Sequence, residues 1–444
     1  MIELSPEIIT IIMLLGLFVG VLHGYHIAIV IGAVALIVGY MVFGGHVIEA
    51  LYGRTYYMLL SYSYLAVPLF IFMGFMLERS GIAEKLYDVL YLWLGGLKGG
   101  LAITTVLIGT ILAACVGIIG ASVTMLSIVA LPAMIKRGYS KSLASGSVCA
   151  GGTLGILIPP SIMLVIYGPI AEISVGKLFF GAFIPGLILS GLYCSYIAIR
   201  SFFQPKIAPA VPIEERAVPF LKKTAMLLTA LVPAAILILA VLGSIFFGIA
   251  PPTEAAGIGA FASALLAIGY RKFSWQVLKE VALQTLRVSS MIMLIAIMAI
   301  GFTSVFMRAG CGEVVQGVVL GAPGGRWGAF AIIMFICFIL GMLIDWLGIV
   351  FIMVPIITPI GAAMGFDPIW FALMICVNLQ MSFMTPPYAG ALFYLRGSAA
   401  PELKVTMADI VRGVIPFVIL IMVGLGLCVA FPGLILWLPS LMIK

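Results

Sequence analysis

An all-α polytopic membrane protein assembled from two opposed copies of one module is the fold that the sequence predicts, and three observations carry the prediction. Of the 444 residues 64% are hydrophobic and only 9% charged, too little polar surface to clothe a water-soluble body of this size. The apolar stretches run about 17 to 25 residues without strict alternation, the length of a spanning helix and not the pattern of a barrel strand. The chain also matches itself at an offset of 227 residues: Cys149, Pro159-Pro160 and Tyr167 fall against Cys376, Pro386-Pro387 and Tyr394, Pro132 against Pro359, and Gly74-Phe75 against Gly301-Phe302.

In chain order, apolar spans are expected at residues 7–22, 27–43, 55–78, 140–171, 177–200, 224–248, 253–270, 287–306, 368–396 and 408–438. The spans at 140–171 and 368–396 cannot be continuous helices, because each carries a double proline beside small or polar residues. Residues 98–136 and 326–365 are long enough to enter the bilayer twice, as two full spans or as one re-entrant hairpin. Breakers at mid-depth, residues 117–122 and 341–348, favour hairpins whose tips are buried in protein. Segments 82–94 and 273–285 are amphipathic and read as arms lying along the membrane surface. Residues 204–223 are polar and proline-rich, a cytoplasmic linker. Pro251-Pro252-Thr253-Glu254 reads as a helix start capped by Thr253. The expected organisation is therefore N-terminal scaffold helices at 1–54, a first repeat at 55–200, a linker at 201–223, further scaffold helices at 224–270 and a second repeat at 271–444.

Orientation follows from charge. The net charge of +7 reflects lysine and arginine in cytoplasmic loops, with no nucleic-acid partner implied. With the N-terminus outside, only Arg54, Lys177, Arg308, Arg326 and Lys444 of the 23 basic residues remain on the outer side. The span at 55–78 then runs inward and its partner at 287–306 outward, so the copies are inverted repeats. The N-terminal segment has no basic region or cleavage site of a removable signal peptide. The seven cysteines lie mostly in apolar runs without metal-type spacing and read as small core residues. His23, His26 and His46 are the only histidines, and no HExxH, paired catalytic aspartates or Ser/His pairing appears, so an intramembrane enzyme is not expected.

Breaking a helix at mid-membrane frees backbone carbonyls, and a dehydrated sodium ion is one partner they can take. Gly151, Gly152, Thr153 and Gly155 let the backbone approach such an ion in the first copy, and Ser382 and Thr385 add hydroxyl oxygens in the second. Free helix N-termini at the same depth offer partial positive charge to an anion. Asp345 is the one acidic side chain deep in a hairpin; it is expected to orient the second tip or couple ions to movement. Arg79, Arg308 and Arg396 read as snorkelling anchors.

GTLGILIPPSI at 152–162, LPAMIKRGY at 131–139, GMLIDW at 341–346 and NLQMSFMTPPYAGALFYLRG at 378–397 resemble the large membrane subunit of tripartite ATP-independent periplasmic (TRAP) transporters, over essentially the whole chain. The resemblance implies an elevator-type, sodium-coupled importer of an organic acid in a bacterial or archaeal inner membrane. Its partners would be a periplasmic solute-binding protein and a separate small membrane subunit of about four helices, with sodium as coupling ion and no cofactor. It implies a first sodium site near Thr110, Gly152, Gly155, Ile158 and Pro160 and a second near Phe338, Gly341, Ser382, Thr385 and Tyr388. Ser122, Thr153, Asp345, Asn378 and Gln380 are the candidates for substrate contact or coupling. Two positions depart from the commoner pattern: Gly120-Ala121-Ser122 in the first hairpin, and Ser382 where a glycine often stands. The alternative expectation is a carboxylate/sodium symporter or ion exchanger of similar architecture that needs no binding protein.

Overall fold

The computed structural model describes residues 4–442 apart from residues 118, 217 and 388 and the side chains of 114–116. Among these residues the chain forms twenty α-helices and no strand. The first copy runs α1 (Pro6–Leu22), α2 (Ile27–Phe43), α3 (His46–Leu59), α4 (Ala66–Arg79), α5 (Ile82–Leu94), α6 (Gly100–Val116), α7 (Ile119–Lys136), α8 (Lys141–Thr153), α9 (Ile162–Ala171) and α10 (Val175–Phe203). The second runs α11 (Phe220–Phe246), α12 (Pro252–Gly269), α13 (Trp275–Arg308), α14 (Cys311–Leu320), α15 (Gly325–Gly341), α16 (Trp346–Ala363), α17 (Pro368–Ser382), α18 (Gly390–Ser398) and α19 (Met407–Ala430), followed by α20 (Gly433–Ser440). Seven helices are long and apolar enough to cross a membrane, eight with the bent pair made by α3 and α4.

Shifting the first copy by 227 residues lays α1 on α11, α2 on α12, α3 and α4 together on α13, and α5 through α10 on α14 through α19 in turn. The copies are thus longer than the boundaries 55–200 and 271–444 expected from sequence, since the helices assigned to a scaffold outside the repeats also correspond. Packing is reciprocal between them: α7 lies on α18 and α16 on α9; α8 on α19 and α17 on α10; α2 on α13 and α12 on α4. Such an exchange of partners is what a two-fold axis produces. α1, α2, the α3–α4 pair, α8 with α9, and α10 cross between the start of one copy and the start of the next. That odd number of crossings makes the copies point in opposite directions.

Three local expectations change. The span expected at 55–78 starts with α3 and bends by 58° before α4, because Pro68 in the first turn of α4 withholds a backbone donor and disfavours helix just before it. Ile295 stands at the matching position of α13, which runs unbroken for 34 residues. Segment 273–285 is accordingly the start of α13 and not a surface arm, its charged side held by an Arg79–Glu280 ion pair at 3.2 Å; the short counterpart of α5 is α14. The N-cap of α12 is Pro251, and Thr253 makes no capping bond.

Candidate functional site: two hairpin tips against two helix breaks

In the first copy α8 ends at Thr153, a 3-10 turn follows, and the chain stays non-helical until α9 begins after Ser161. Pro159 and Pro160 have no N–H, so no helical bond can form through them; the peptide between them is cis, as is that of Pro386-Pro387. The freed backbone finds partners within the first copy. Ser161 donates its hydroxyl to the Ile156 carbonyl. Gly117 at the tip between α6 and α7 has φ +63°, where a side chain would be strained, and a Cβ there would lie 3.4 Å from the Pro160 oxygen. The hairpin therefore stops at the middle of a span, which marks it as re-entrant.

Ser122, one turn into α7, is buried and its hydroxyl has no partner among the described residues. It faces Gly155, whose Cβ, were there one, would sit 3.3 Å from the Ser122 oxygen. Gly152 lies beneath Val123, and Ile158 packs into a notch at Gly186 of α10. Gly109 and Gly151 bring α6 and α8 into backbone contact, since a Cβ at Gly109 would fall 2.5 Å from the Gly151 oxygen. Thr110 donates to the Val106 carbonyl at 2.8 Å and meets the Ser190 hydroxyl of α10 at 2.6 Å. Its oxygen is thus shared with a neighbour that sequence reasoning missed. Ser190 is one of three serines in a long apolar helix, with no signal to single it out; Ser161 had one, its place directly after the double proline.

The second copy reverses the supply. Ser382 ends α17, fully buried, and donates to the Leu379 carbonyl at 2.7 Å. It lies against Gly341 at the end of α15, where any Cβ would collide with it, and Ile349 occupies the position that matches Ser122. Thr385 donates to the Met381 carbonyl at 2.8 Å, and the Phe338 carbonyl accepts from the Met342 N–H at 3.2 Å. Tyr388 lies outside the described residues.

The substrate and coupling candidates separate by environment. Thr153 donates to Ala150 at 3.1 Å and touches the Met384 sulfur of the other copy at 3.3 Å. Asn378 donates to the Met334 carbonyl at 2.7 Å and so ties α17 to α15 where the first copy uses Gly109 and Gly151. Gln380 is fully buried with both amide atoms unpartnered among the described residues. Asp345 caps α16, accepting from the Leu347 N–H at 3.4 Å, and borders a cavity.

That cavity, about 430 Å³, is the meeting place of the site. Ile119 and Gly120 of the first tip, Gly341 and Asp345 of the second, Ile162 after one break and Ala389 after the other all line it. Its far wall is the inner half of α13 with the turn between α1 and α2, so by the charge count it opens to the cytoplasm. A larger cavity of about 590 Å³ lies against the outer end of α13. Between them α16 packs on α13, with Thr303 reaching the Phe351 carbonyl at 3.5 Å.

The model of the family "Tripartite ATP-independent periplasmic transporter, DctM component" matches residues 12–434. The chain is 31% identical over 382 residues to the C4-dicarboxylate TRAP transporter large permease protein DctM of Pseudomonas aeruginosa, covering 85% of this chain and 86% of that protein. It is 27% identical over 442 residues to the sialic acid TRAP transporter permease protein SiaT of Haemophilus influenzae, covering 99% of this chain and 69% of the relative. Among solved structures, that of the Alcanivorax borkumensis YdaH transporter superposes with a TM-score of 0.62 at 14% identity, over 96% of this chain and 98% of that one, a likeness of fold.

Proposed function

This chain belongs to the DctM component family of tripartite ATP-independent periplasmic transporters, as a multi-pass inner-membrane permease subunit and not an enzyme, and on that premise we propose that it imports an organic acid driven by the sodium gradient. The cargo is delivered by a periplasmic solute-binding protein, and a separate small membrane subunit of about four helices completes the assembly. The names of two relatives, for C4-dicarboxylates and for sialic acid, support an acid as cargo.

The observation that carries the sodium reading is the mirrored pair of tip-to-break contacts. Ser122 offers an unpaired buried hydroxyl to the unwound backbone at Gly155, and Ser382 offers its oxygen at Gly341. A hard monovalent cation needs only oxygen ligands, and an orphaned hydroxyl in a dry interior is costly unless something fills the gap. Sodium bound between tip and break would stiffen both walls of the 430 Å³ cavity, so cargo and ion would favour each other's binding. The hairpins and broken spans then move as one body along α13, carrying the cavity from outside to inside. Thr110, Gly152, Ile158, Pro160, Phe338 and Thr385 complete the proposed ion sites through backbone or hydroxyl oxygens, with Asp345 on the wall of the cargo cavity and the buried Thr153 and Gln380 as coupling groups. Asn378, engaged with Met334, has a positioning role.

Reconstitution in proteoliposomes tests the proposal. Labelled carboxylate uptake should require an inward sodium gradient and the binding protein together. Uptake that persists with no binding protein, or with sodium replaced by choline, would overturn it.

A further inference from the structure

We propose that the outer cavity is a receiving site for the anionic cargo, an electropositive vestibule in which Arg54 and Arg308 hold a carboxylate before the transport body takes it. The proposal rests on the import reading above. Arg54 projects from α3 and Arg308 is the last residue of α13, and both line the cavity of about 590 Å³. Neither is ion-paired: the ion pairs among the described residues are Arg79–Glu280 and Arg137–Glu215. The third charged group on the wall is Glu172, at the end of α9 and also without an ion pair, so the cavity keeps a net positive charge.

The charge count sharpens the point. Only five basic residues remain on the outer side, and two of them converge on this one concavity from different helices. A snorkelling anchor explains an arginine at a helix end, but not two guanidinium groups facing one another's cavity. Ser61, Ser63, Tyr64 and Thr303 add hydroxyls to the same wall, and Arg308 also borders an adjoining cavity of about 420 Å³. A guanidinium fork matches a carboxylate in two parallel hydrogen bonds. A cleft dominated by one sign of charge concentrates the opposite ion at its mouth. The cavity is walled by α3 and α13 on one side and by Pro169, Phe351 and Pro355 of the moving body on the other, outside the α13–α16 contact that closes the way inward.

A lipid phosphate offers the same chemistry as a carboxylate, so the test separates them. Succinate binding is measured calorimetrically on the full assembly in nanodiscs of zwitterionic lipid, for the wild type, R54Q/R308Q and R54K/R308K, beside succinate uptake in proteoliposomes. The expected result is a weakening of at least tenfold in R54Q/R308Q, with the lysine pair, which keeps the charge but not the bidentate fork, falling between that variant and the wild type. E172Q should tighten binding, and added salt should erase the wild-type advantage. The sodium concentration for half-maximal response should not move. Unchanged succinate affinity in R54Q/R308Q at an unaltered melting temperature overturns the vestibule while leaving import intact. Loss of co-purifying phosphatidylglycerol with succinate affinity preserved assigns the arginines to a headgroup and overturns it as well. Wild-type protein that binds succinate through these arginines but imports no carboxylate sinks the import reading instead and keeps the anion site.

Discussion

Ser122 and Ser382 face glycines from opposite sides of matching interfaces, one on a hairpin and one on a broken span, and their differing hydrogen bonds give them different expected mutational signatures. The Ser122 hydroxyl has no partner, so Ser122→Ala removes a desolvated polar group. Without sodium this variant should melt no lower than the wild type, and up to ~1–3 kcal/mol more stable. Its sodium requirement for half-maximal uptake should rise about tenfold, the equivalent of one lost ligand of ~1.4 kcal/mol. A lower melting temperature together with an unchanged sodium requirement would refute the assignment. Gly341→Ala tests the other side: the added methyl strikes Ser382, and overpacking of this kind costs ~1–3 kcal/mol. Thermal unfolding should show that loss, and Ser382→Gly in the same chain should recover much of it, as expected for residues in direct contact. Independent, additive effects of the two changes would contradict the contact.

Helices, breaks and hairpins were mostly legible because their signals are local. A double proline forbids a continuous helix wherever it falls, and apolar length marks a span. The bend between α3 and α4 escaped reading because Pro68 sits within an apolar run, and its effect depends on lying in a helix's first turn and not its interior. The start of α13 was misread for a related reason: its amphipathic pattern suits a surface arm equally well, and only the Arg79–Glu280 contact reveals what the charged side meets. Among site residues, Ser382 and Thr385 stood out as polar groups beside a break, whereas the meeting of Ser382 with Gly341 is a tertiary fact that no spacing encodes. Asn378 reads as a coupling candidate for the same local reason, and its amide bonds the Met334 carbonyl, a tie between α17 and α15 that sequence does not show. Asn378→Leu should therefore lower the melting temperature, consistent with ~1–2 kcal/mol for a buried amide bond, without altering the sodium requirement. A large shift in sodium response at unchanged stability would return Asn378 to the ion or cargo site.

At the scale of the whole molecule the two copies match in sequence register and depart in environment, an asymmetry that the proposed moving-body mechanism requires of any one state. Pro159 and Pro160 are buried while Pro386 and Pro387 are exposed. α4 packs on α6 and α9, whereas α13, its counterpart, packs on α16. Exchanging these environments between the copies would close the inner cavity and join the tips to the outer one, with the α13–α16 contact giving way as hairpin and broken spans slide along α13. Thr303 and Phe351 mark that contact, 3.5 Å apart through the threonine hydroxyl and the phenylalanine carbonyl. A chain carrying Thr303→Cys and Phe351→Cys should be bridged by a short bis-methanethiosulfonate cross-linker in the state described and held there. Uptake should stop on cross-linking and return on reduction, and sodium with cargo on the outer side should slow cross-linking by drawing the population toward the other state. Full uptake by quantitatively cross-linked protein would mean that the hairpin does not move past α13, and the moving-body mechanism would fall with it.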